Sequence, residues 1–443
     1  MDIIEKAQKM LEKYPLCSHC LGRQYALLGH GLDNERRGEN LKLLLAMKGH
    51  QLTLLKQKAG VALLKTVATN GSLDMAVEIL KKMHKRVKGK RQCHLCEGKF
   101  DHLDKLSSSI VEKLKDYEYD TFLIGIELPT KVEEREDEFK AEFDVTHGES
   151  MKNEFSREIG KRVSENVGKM AEHKKPDIVI FVNPFSKQIT LQPNPLFISG
   201  RYRKLVRGIS QSRWICPQCR GNGCKNCNWT GKLLSESIEE IIAKPVLEKT
   251  LGETTSFHAA GREDVDALML GRGRPFIAEV KRPKKRFIDL KKLAETINRE
   301  AKNKVKVSSL HFTNRSAVRR LKKTETSEKV YRVIVELDKN VSEEDLKTLE
   351  KTLTGAIIHQ QTPSRVLHRR ANRVREKYIY EAKTNKLSPN RIEMKIRCQG
   401  GLYIKELVTG DKGRTDPCVS GIVNAEAKPI ELDVLNVIIK ENT

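Results

Sequence analysis

Eight of the ten cysteines fall into four CxxC pairs: Cys17/Cys20, Cys93/Cys96, Cys216/Cys219 and Cys224/Cys227. No other feature of the chain restricts its folding as much. In a reducing compartment such pairs act as metal ligands and not as a disulfide framework. Two CxxC turns together can hold one tetrahedral zinc ion. Cys17/Cys20 and Cys93/Cys96 stand far apart, so a shared ion clamps the two ends of residues 1–100 onto each other. The second cluster, CPQCRGNGCKNC, sets its pairs close together around Gly221 and Gly223, and one knuckle-like site is feasible there, though tight. The alternative is that the pairs are incidental. Both ions would be structural, because four thiolates leave no open position for water. Cys398 and Cys418 stand alone and read as small apolar residues.

Hydrophobic periodicity divides the rest. Residues 1–100 read as helices, with LKLLLAMKG and LTLLKQKAGVALLKTVA apolar at helical spacing. A strand at 119–128, a helix at about 150–171 and strands from 177 and 188 then suggest a small α/β domain over residues 101–235. From 236 a helix leads into strands alternating with helices: FIAEV, VKVSSLHF, VYRVIVEL, AIIHQQ, KYIYEA, RIEMKIRC and ELDVLNVII. Charge at every second position is what a half-exposed antiparallel sheet shows. The expected class is therefore α+β, with boundaries near 100 and 235.

The formal net charge is +24, an excess that points to a polyanionic partner, nucleic acid first and a membrane surface second. No apolar run approaches the roughly 18 residues of a spanning helix. The N-terminus, MDIIEKAQKMLEKY, reads as a mixed-charge amphipathic helix and not a signal peptide, so a cytoplasmic protein is expected. Within PNPLFISGRYRKLVRGISQSRW, Arg201, Arg203, Lys204 and Arg207 interleave with Phe197, Tyr202 and Trp214, which suits phosphate contact plus base stacking. A solvated loop is the plainer reading. KRPKKR at 281–286 and RVLHRRANRVREK at 365–377, with Arg369 and Arg370, extend the basic track. His147 and Glu149 match the H-x-E of zinc deaminases, but CPQC lacks the proline that precedes that family's cysteine pair. Neither a Walker loop nor a dinucleotide fingerprint is present, so no organic cofactor is expected.

The stretch AGREDVDALMLGRGRP, residues 260–275, crowds acids and arginines onto glycines. An aspartate kept ionised can serve as nucleophile or general base. Arg262, Arg272 and Arg274 would offer charge to Asp264, and Gly261, Gly271 and Gly273 would let the backbone approach a ligand. An arginine–aspartate structural network explains the residues equally well.

Gly261-Arg262-Glu263-Asp264 resembles the catalytic loop of pseudouridine synthases. GREDVD...LGRGRPF, GRYRKLVRGI, CRGNGC with NWTGK, QQTPSRVLHRRA and GGLYIKELVTGDKGRT together resemble one family of them, the archaeal and eukaryotic tRNA pseudouridine synthases numbered ten. These matches run from Cys17 to the final strand. The resemblance implies a THUMP-like accessory domain and a C-terminal catalytic domain with a mainly antiparallel mixed sheet. It implies a tRNA substrate isomerised in the T-arm, at nucleotide 55 and also 54, by a monomer. It makes Asp264 the nucleophile, Tyr331 the tyrosine that stacks on the base, Lys405 the cation paired with the aspartate, and Leu432 an apolar wall. Arg262 would guard the space left by the flipped base, and Cys17, Cys20, Cys93 and Cys96 match the zinc ligands. Arginine is expected near Leu268 and threonine near Leu402, two departures that bear on substrate grip. A non-catalytic zinc-dependent RNA-binding or chaperone protein would share the charge and the cysteines. A THUMP-linked methyltransferase or thiolase would need a cofactor fold that the chain does not display.

Overall fold

A computed structural model describes residues 2–322 and 327–438. The chain divides into two compact units, Met1–Asn194 and Pro195–Thr443. None of the described helices is long and apolar enough to cross a membrane.

The first unit opens with helices Ile3–Lys13, Asn34–Leu54, Lys58–Thr69 and Asp74–Lys82. Ala7, Met10 and Leu11 recur at helical spacing and form the buried face of the first of these. The second begins at Asp33, whose carboxylate accepts from the Arg36 amide at 2.8 Å and so caps it. A four-stranded sheet follows, made of β1 (Thr121–Ile126), β2 (Met170–Ala171), β3 (Ile178–Asn183) and β4 (Gln188–Pro193). β1 lies parallel to both β2 and β3, and β4 is antiparallel to β3. Leu45 and Leu64 from the helical region share one apolar core with Phe155 and Ile180 from the α/β region. Packing is thus continuous across the boundary expected near residue 100.

The second unit is a ten-stranded sheet with helices against it. Its strands are β5 (Leu196–Lys204), β6 (Thr254–Ala259), β7 (Leu268–Lys281), β8 (Val305–Thr313), β9 (Glu328–Leu337), β10 (Ile357–Gln361), β11 (Val374–Ser388), β12 (Arg391–Gln399), β13 (Thr415–Asp416) and β14 (Ala427–Ile438). The order is β13-β10-β11-β12-β9-β14-β7-β5-β8, with β6 on β7. The β14–β7 pair is parallel and the others are antiparallel, which is the mainly antiparallel mixed sheet that the resemblance implies. β9 buries Val333, Val335 and Leu337, and β12 buries Ile392, Met394, Ile396 and Cys398, the period-two pattern of strands with one face in a core. Cys398 is a small core residue, as expected.

Two expectations change here. Residues 196–204 belong to the large sheet, because β5 pairs with β7 and β8. Alternation in LFISGRYRK is the mark of a half-buried strand, and the break between units falls at 194/195 instead of near 235. In addition, the glycine-rich stretch is a loop only up to Ala267, since β7 begins at Leu268. Gly271 and Gly273 therefore approach neighbouring strands and not a ligand: a Cβ on them would lie 2.0 Å from the Leu435 carbonyl oxygen and 2.7 Å from that of Tyr202.

Candidate active site

The loop joining β6 to β7 carries Asp264 to the rim of a cavity of about 890 Å³ within the second unit. β9 supplies Lys329 and Tyr331 to the wall, β14 supplies Leu432 and Val434, and the turn before the helix Ile404–Thr409 supplies Leu402 and Tyr403. Tyr331 and Val434 are register partners on adjacent antiparallel strands, which fixes the tyrosine in the middle of the wall.

The Asp264 carboxylate faces two cations. Its Oδ2 lies 3.4 Å from Lys405 Nζ and 3.7 Å from an Arg365 guanidinium nitrogen. Lys405 also donates to Asp266 Oδ2 at 2.8 Å. Partial burial opposes the Asp266 charge, but the hydrogen bond from Lys405 prevails and holds that carboxyl below its ordinary pKa. Arg365 is aimed by the buried Glu406, whose Oε1 accepts from Arg365 Nε at 2.6 Å, and its guanidinium lies 5.8 Å from the Tyr403 ring centre. Burial raises the Tyr331 hydroxyl above its ordinary pKa, so it stays protonated at neutral pH. Burial, with Arg274 nearby, pushes Lys329 down to about 8.

The loop is pinned from beneath. Glu263 is buried and accepts from the Tyr202 hydroxyl at 2.9 Å, and its carboxylate lies 2.7 Å from Arg274 Nε. Arg274 donates to the Ala260 carbonyl at 2.6 Å, and Gln211 donates to Tyr202 Oη at 2.7 Å and to the Gly261 carbonyl at 3.0 Å. Burial works against the Arg274 charge, and the Glu263 carboxylate overcomes it, leaving the guanidinium above its ordinary pKa. Lys204 donates to the carbonyls of Asp264 and Val265 at 3.2 and 2.7 Å, and burial pushes its pKa down to about 8.

Two family models match the chain. The model described as the C-terminal part of Pus10 matches residues 197–438, and that of the archaeal Pus10 THUMP domain matches 106–183. A tRNA pseudouridine synthase Pus10 from Methanocaldococcus jannaschii is 46% identical, covering 99% of this chain and 94% of its own. Its namesakes from Methanothrix thermoacetophila and Thermofilum pendens are 37% and 38% identical over 98% and 99% of the chain, covering 94% and 95% of their own lengths. The chain belongs to the Pus10 family. A solved Cbf5–Nop10–Gar1 complex overlaps 45% of each chain at 13% identity with a TM-score of 0.29, too weak a likeness to carry an argument.

The expected site residues separate into two groups. Asp264, Tyr331, Lys405, Leu432, Arg262 and Arg370 all line the one cavity. Three of the four basic residues of 201–207 bond the protein itself. Lys204 is fully buried under the loop, so its assignment to RNA is corrected: its ammonium satisfies two backbone carbonyls. Arg207 bonds the Asp266 carbonyl at 2.5 Å and Asp433 Oδ1 at 2.7 Å, fastening the loop to β14. Arg201 donates to the Gly273 carbonyl at 2.9 Å, whereas Arg203 is half-buried on the same strand. The side chain of Arg369 lies outside the described residues. Of the cations around Asp264, Lys405 is the expected partner, Arg365 is an addition, and the arginines of the loop and β7 serve elsewhere. Arg274 serves Glu263, Arg262 lies over the Trp214 ring at 5.5 Å, and Arg272 is exposed on β7. Arg365 and the Glu263–Arg274 pair were not singled out as site residues. Glu263 had a signal, a charged residue squeezed between Arg262 and Asp264. Arg365 had only its place in the SRVLHRRA match. Leu402 is buried in the cavity wall, whereas Leu268 is half-buried at the start of β7, so of the two departures from the family pattern Leu402 touches the site.

Both cysteine clusters assemble. The sulfurs of Cys17, Cys20, Cys93 and Cys96 lie within 4.8 Å of one another, as do those of Cys216, Cys219, Cys224 and Cys227. Either group could hold one metal ion. Four soft sulfur donors at this spacing suit a tetrahedral thiophilic cation. The first group also has Lys42, itself buried, bonded to Ser18 at 3.2 Å between two of the ligands in sequence. In the second, amides of Gly223, Cys224 and Gly231 each donate to a cysteine sulfur at 3.2 Å, as thiolates require.

Proposed function

We propose that this protein converts uridine to pseudouridine in the T-arm of tRNA, at nucleotide 55 and also at 54. One observation carries the proposal: Asp264, held between Lys405 and Arg365, opens on a cavity walled by Tyr331 and Leu432 in a chain whose matched relatives are named tRNA pseudouridine synthases.

The chemistry is an isomerisation. The C1′–N1 bond of uridine breaks, the uracil turns, and a C1′–C5 bond forms; C5 loses a proton and N1 gains one. Nothing is oxidised or transferred, so the residues of the chain suffice. Asp264 acts as the nucleophile or assists departure of the base, with Lys405 and Arg365 beside its carboxylate. Tyr331 stacks on the uracil and relays protons through its hydroxyl, whose oxygen accepts the C5 proton as its own proton leaves toward N1. Leu432 closes the pocket, and Arg262 fills the space that the extruded nucleotide leaves in the helix. Extrusion costs a few kcal/mol of stacking. The net charge of +24, with Arg370, Arg375 and Lys377 on the cavity wall, supplies the attraction that offsets it.

The unit Met1–Asn194, with the THUMP match, takes the accessory RNA-binding role, and the enzyme works as a cytoplasmic monomer. Zinc is the ion we assign to both cysteine groups, where it ties chain segments together. Metal analysis by mass spectrometry is expected to give two zinc ions per chain. Cys20→Ser and Cys219→Ser are each expected to lower this to one, and a zinc-free wild-type protein would overturn the assignment.

The activity is tested by incubating an unmodified tRNA transcript with the protein and mapping pseudouridine by carbodiimide adducts. Reverse transcription is expected to stop one nucleotide 3′ of position 55 and of position 54. A transcript without new adducts would remove the proposal.

A further inference from the structure

The second cysteine cluster has a use beyond holding its own loop together. The chain has two tryptophans. Trp214 lines the active-site cavity, and Trp229 sits at the tip of the cysteine knuckle with 72% of its surface exposed. A large aromatic left in water gains nothing by burial, and here the backbone holds it there at a cost. Asn228 and Trp229 both adopt left-handed conformations, with φ of 49° and 62°. The arrangement is rigid: the Trp229 amide donates to the Cys224 carbonyl at 2.9 Å, and Gly223 packs so close to the Trp229 carbonyl that a Cβ would stand 2.8 Å away.

The knuckle is tied to the cavity wall. The Leu233 amide donates to the Trp214 carbonyl and the Cys216 amide to the Gly231 carbonyl, both at 2.9 Å, and Ile215 bridges Lys232. Its charge has one sign. From Arg213 to Lys232 there are four basic residues and no acidic one. Lys232 pairs with Glu240 at the base, while Arg220 and Lys225 are exposed around the tip.

An exposed indole flanked by free cations fits a nucleobase stacked on its face with phosphates alongside. We infer that the knuckle is a second contact for the RNA substrate, in which Trp229 stacks on an unpaired base near the extruded uridine and Arg220 and Lys225 meet the adjoining phosphates. This inference deepens the reading of the chain as a tRNA-modifying enzyme and rests on it. The knuckle adds grip and takes no part in bond making.

The test uses the zinc-loaded full chain. In Trp214→Phe, Trp229 is the single tryptophan, and titration with unmodified tRNA transcript is expected to quench its emission. Trp229→Leu is expected to weaken tRNA binding on the order of ten-fold and to raise KM alike, with kcat at saturating tRNA unchanged. Trp229→Phe is expected to stay within about three-fold of wild type, because a phenyl ring still stacks. A purely structural role would tolerate leucine as well as phenylalanine. Unaltered emission on binding, or a Trp229→Leu protein with wild-type affinity and KM, overturns the inference. If Trp229→Leu loses zinc, the emission titration and the phenylalanine variant still decide. Failure of the functional reading looks different: wild-type protein would then form no pseudouridine, whatever Trp229 does.

Discussion

Asp264→Ala and Asp264→Asn are expected to abolish pseudouridine formation, by at least about 10⁴-fold in kcat, while tRNA affinity changes by no more than about three-fold. The asymmetry follows from where the carboxylate sits. It touches Lys405 and Arg365 and holds up no part of the loop, whose backbone is fastened through Lys204, Arg207, Gln211 and Arg274. Removing it therefore takes away the reacting group and leaves the pocket standing. Binding draws as well on cavity-wall cations other than the two that pair with Asp264, namely Arg370, Arg375 and Lys377. Asparagine keeps the shape and loses the charge, so equal loss in both variants identifies the anion as the working species. Single-turnover conversion of a transcript, paired with filter binding, measures both quantities. Substantial turnover by either variant would sink the nucleophile assignment, and loss of both turnover and binding would make Asp264 a structural residue. The same pair of measurements separates an enzyme from a non-catalytic RNA-binding protein.

The second large effect concerns the ion pair beneath the loop. Glu263→Gln and Arg274→Met are each expected to destabilise the second unit by about 3–5 kcal/mol, because each leaves the other charge buried without its partner. Glu263 and Arg274 are 5% and 1% exposed, so water cannot compensate. The double variant is expected to be more stable than either single one, since no orphaned charge remains. Both tryptophans lie in this unit, so urea unfolding followed by their emission reports on it selectively. Activity should fall further than stability explains, as Glu263 precedes Asp264 and sets the direction of the loop. Single variants that unfold at the wild-type urea concentration would show that the pair does not support the site.

The elements of the fold were largely legible because their signals are local. Helices of the first hundred residues and the strands of the large sheet follow from spacing that burial imposes over a few turns, as in Val333, Val335 and Leu337. The strand Leu196–Lys204 was misplaced because its arginines read as a binding track. Alternate positions on one strand can face opposite environments, and only pairing with β7 and β8 shows which environment each meets. Lys204 is the sharpest case: a lysine among arginines, indistinguishable from them in sequence, lies fully buried under two carbonyls.

Sequence alone determined the chemistry available: an aspartate in a G-R-x-D setting, four cysteine pairs, a tyrosine, a lysine and a large positive charge. Those are statements about residue types and short spacings, which the order of the chain contains. Tertiary structure decided which charges meet. Arg274, ten residues from Asp264, neutralises Glu263, while the cations facing Asp264 arrive from positions 365 and 405 on separate elements. Coulomb interaction falls with distance in space and takes no account of distance along the chain. Neighbours in sequence are therefore poor evidence for partners in charge until the sheet has brought β6, β7, β9 and β14 together.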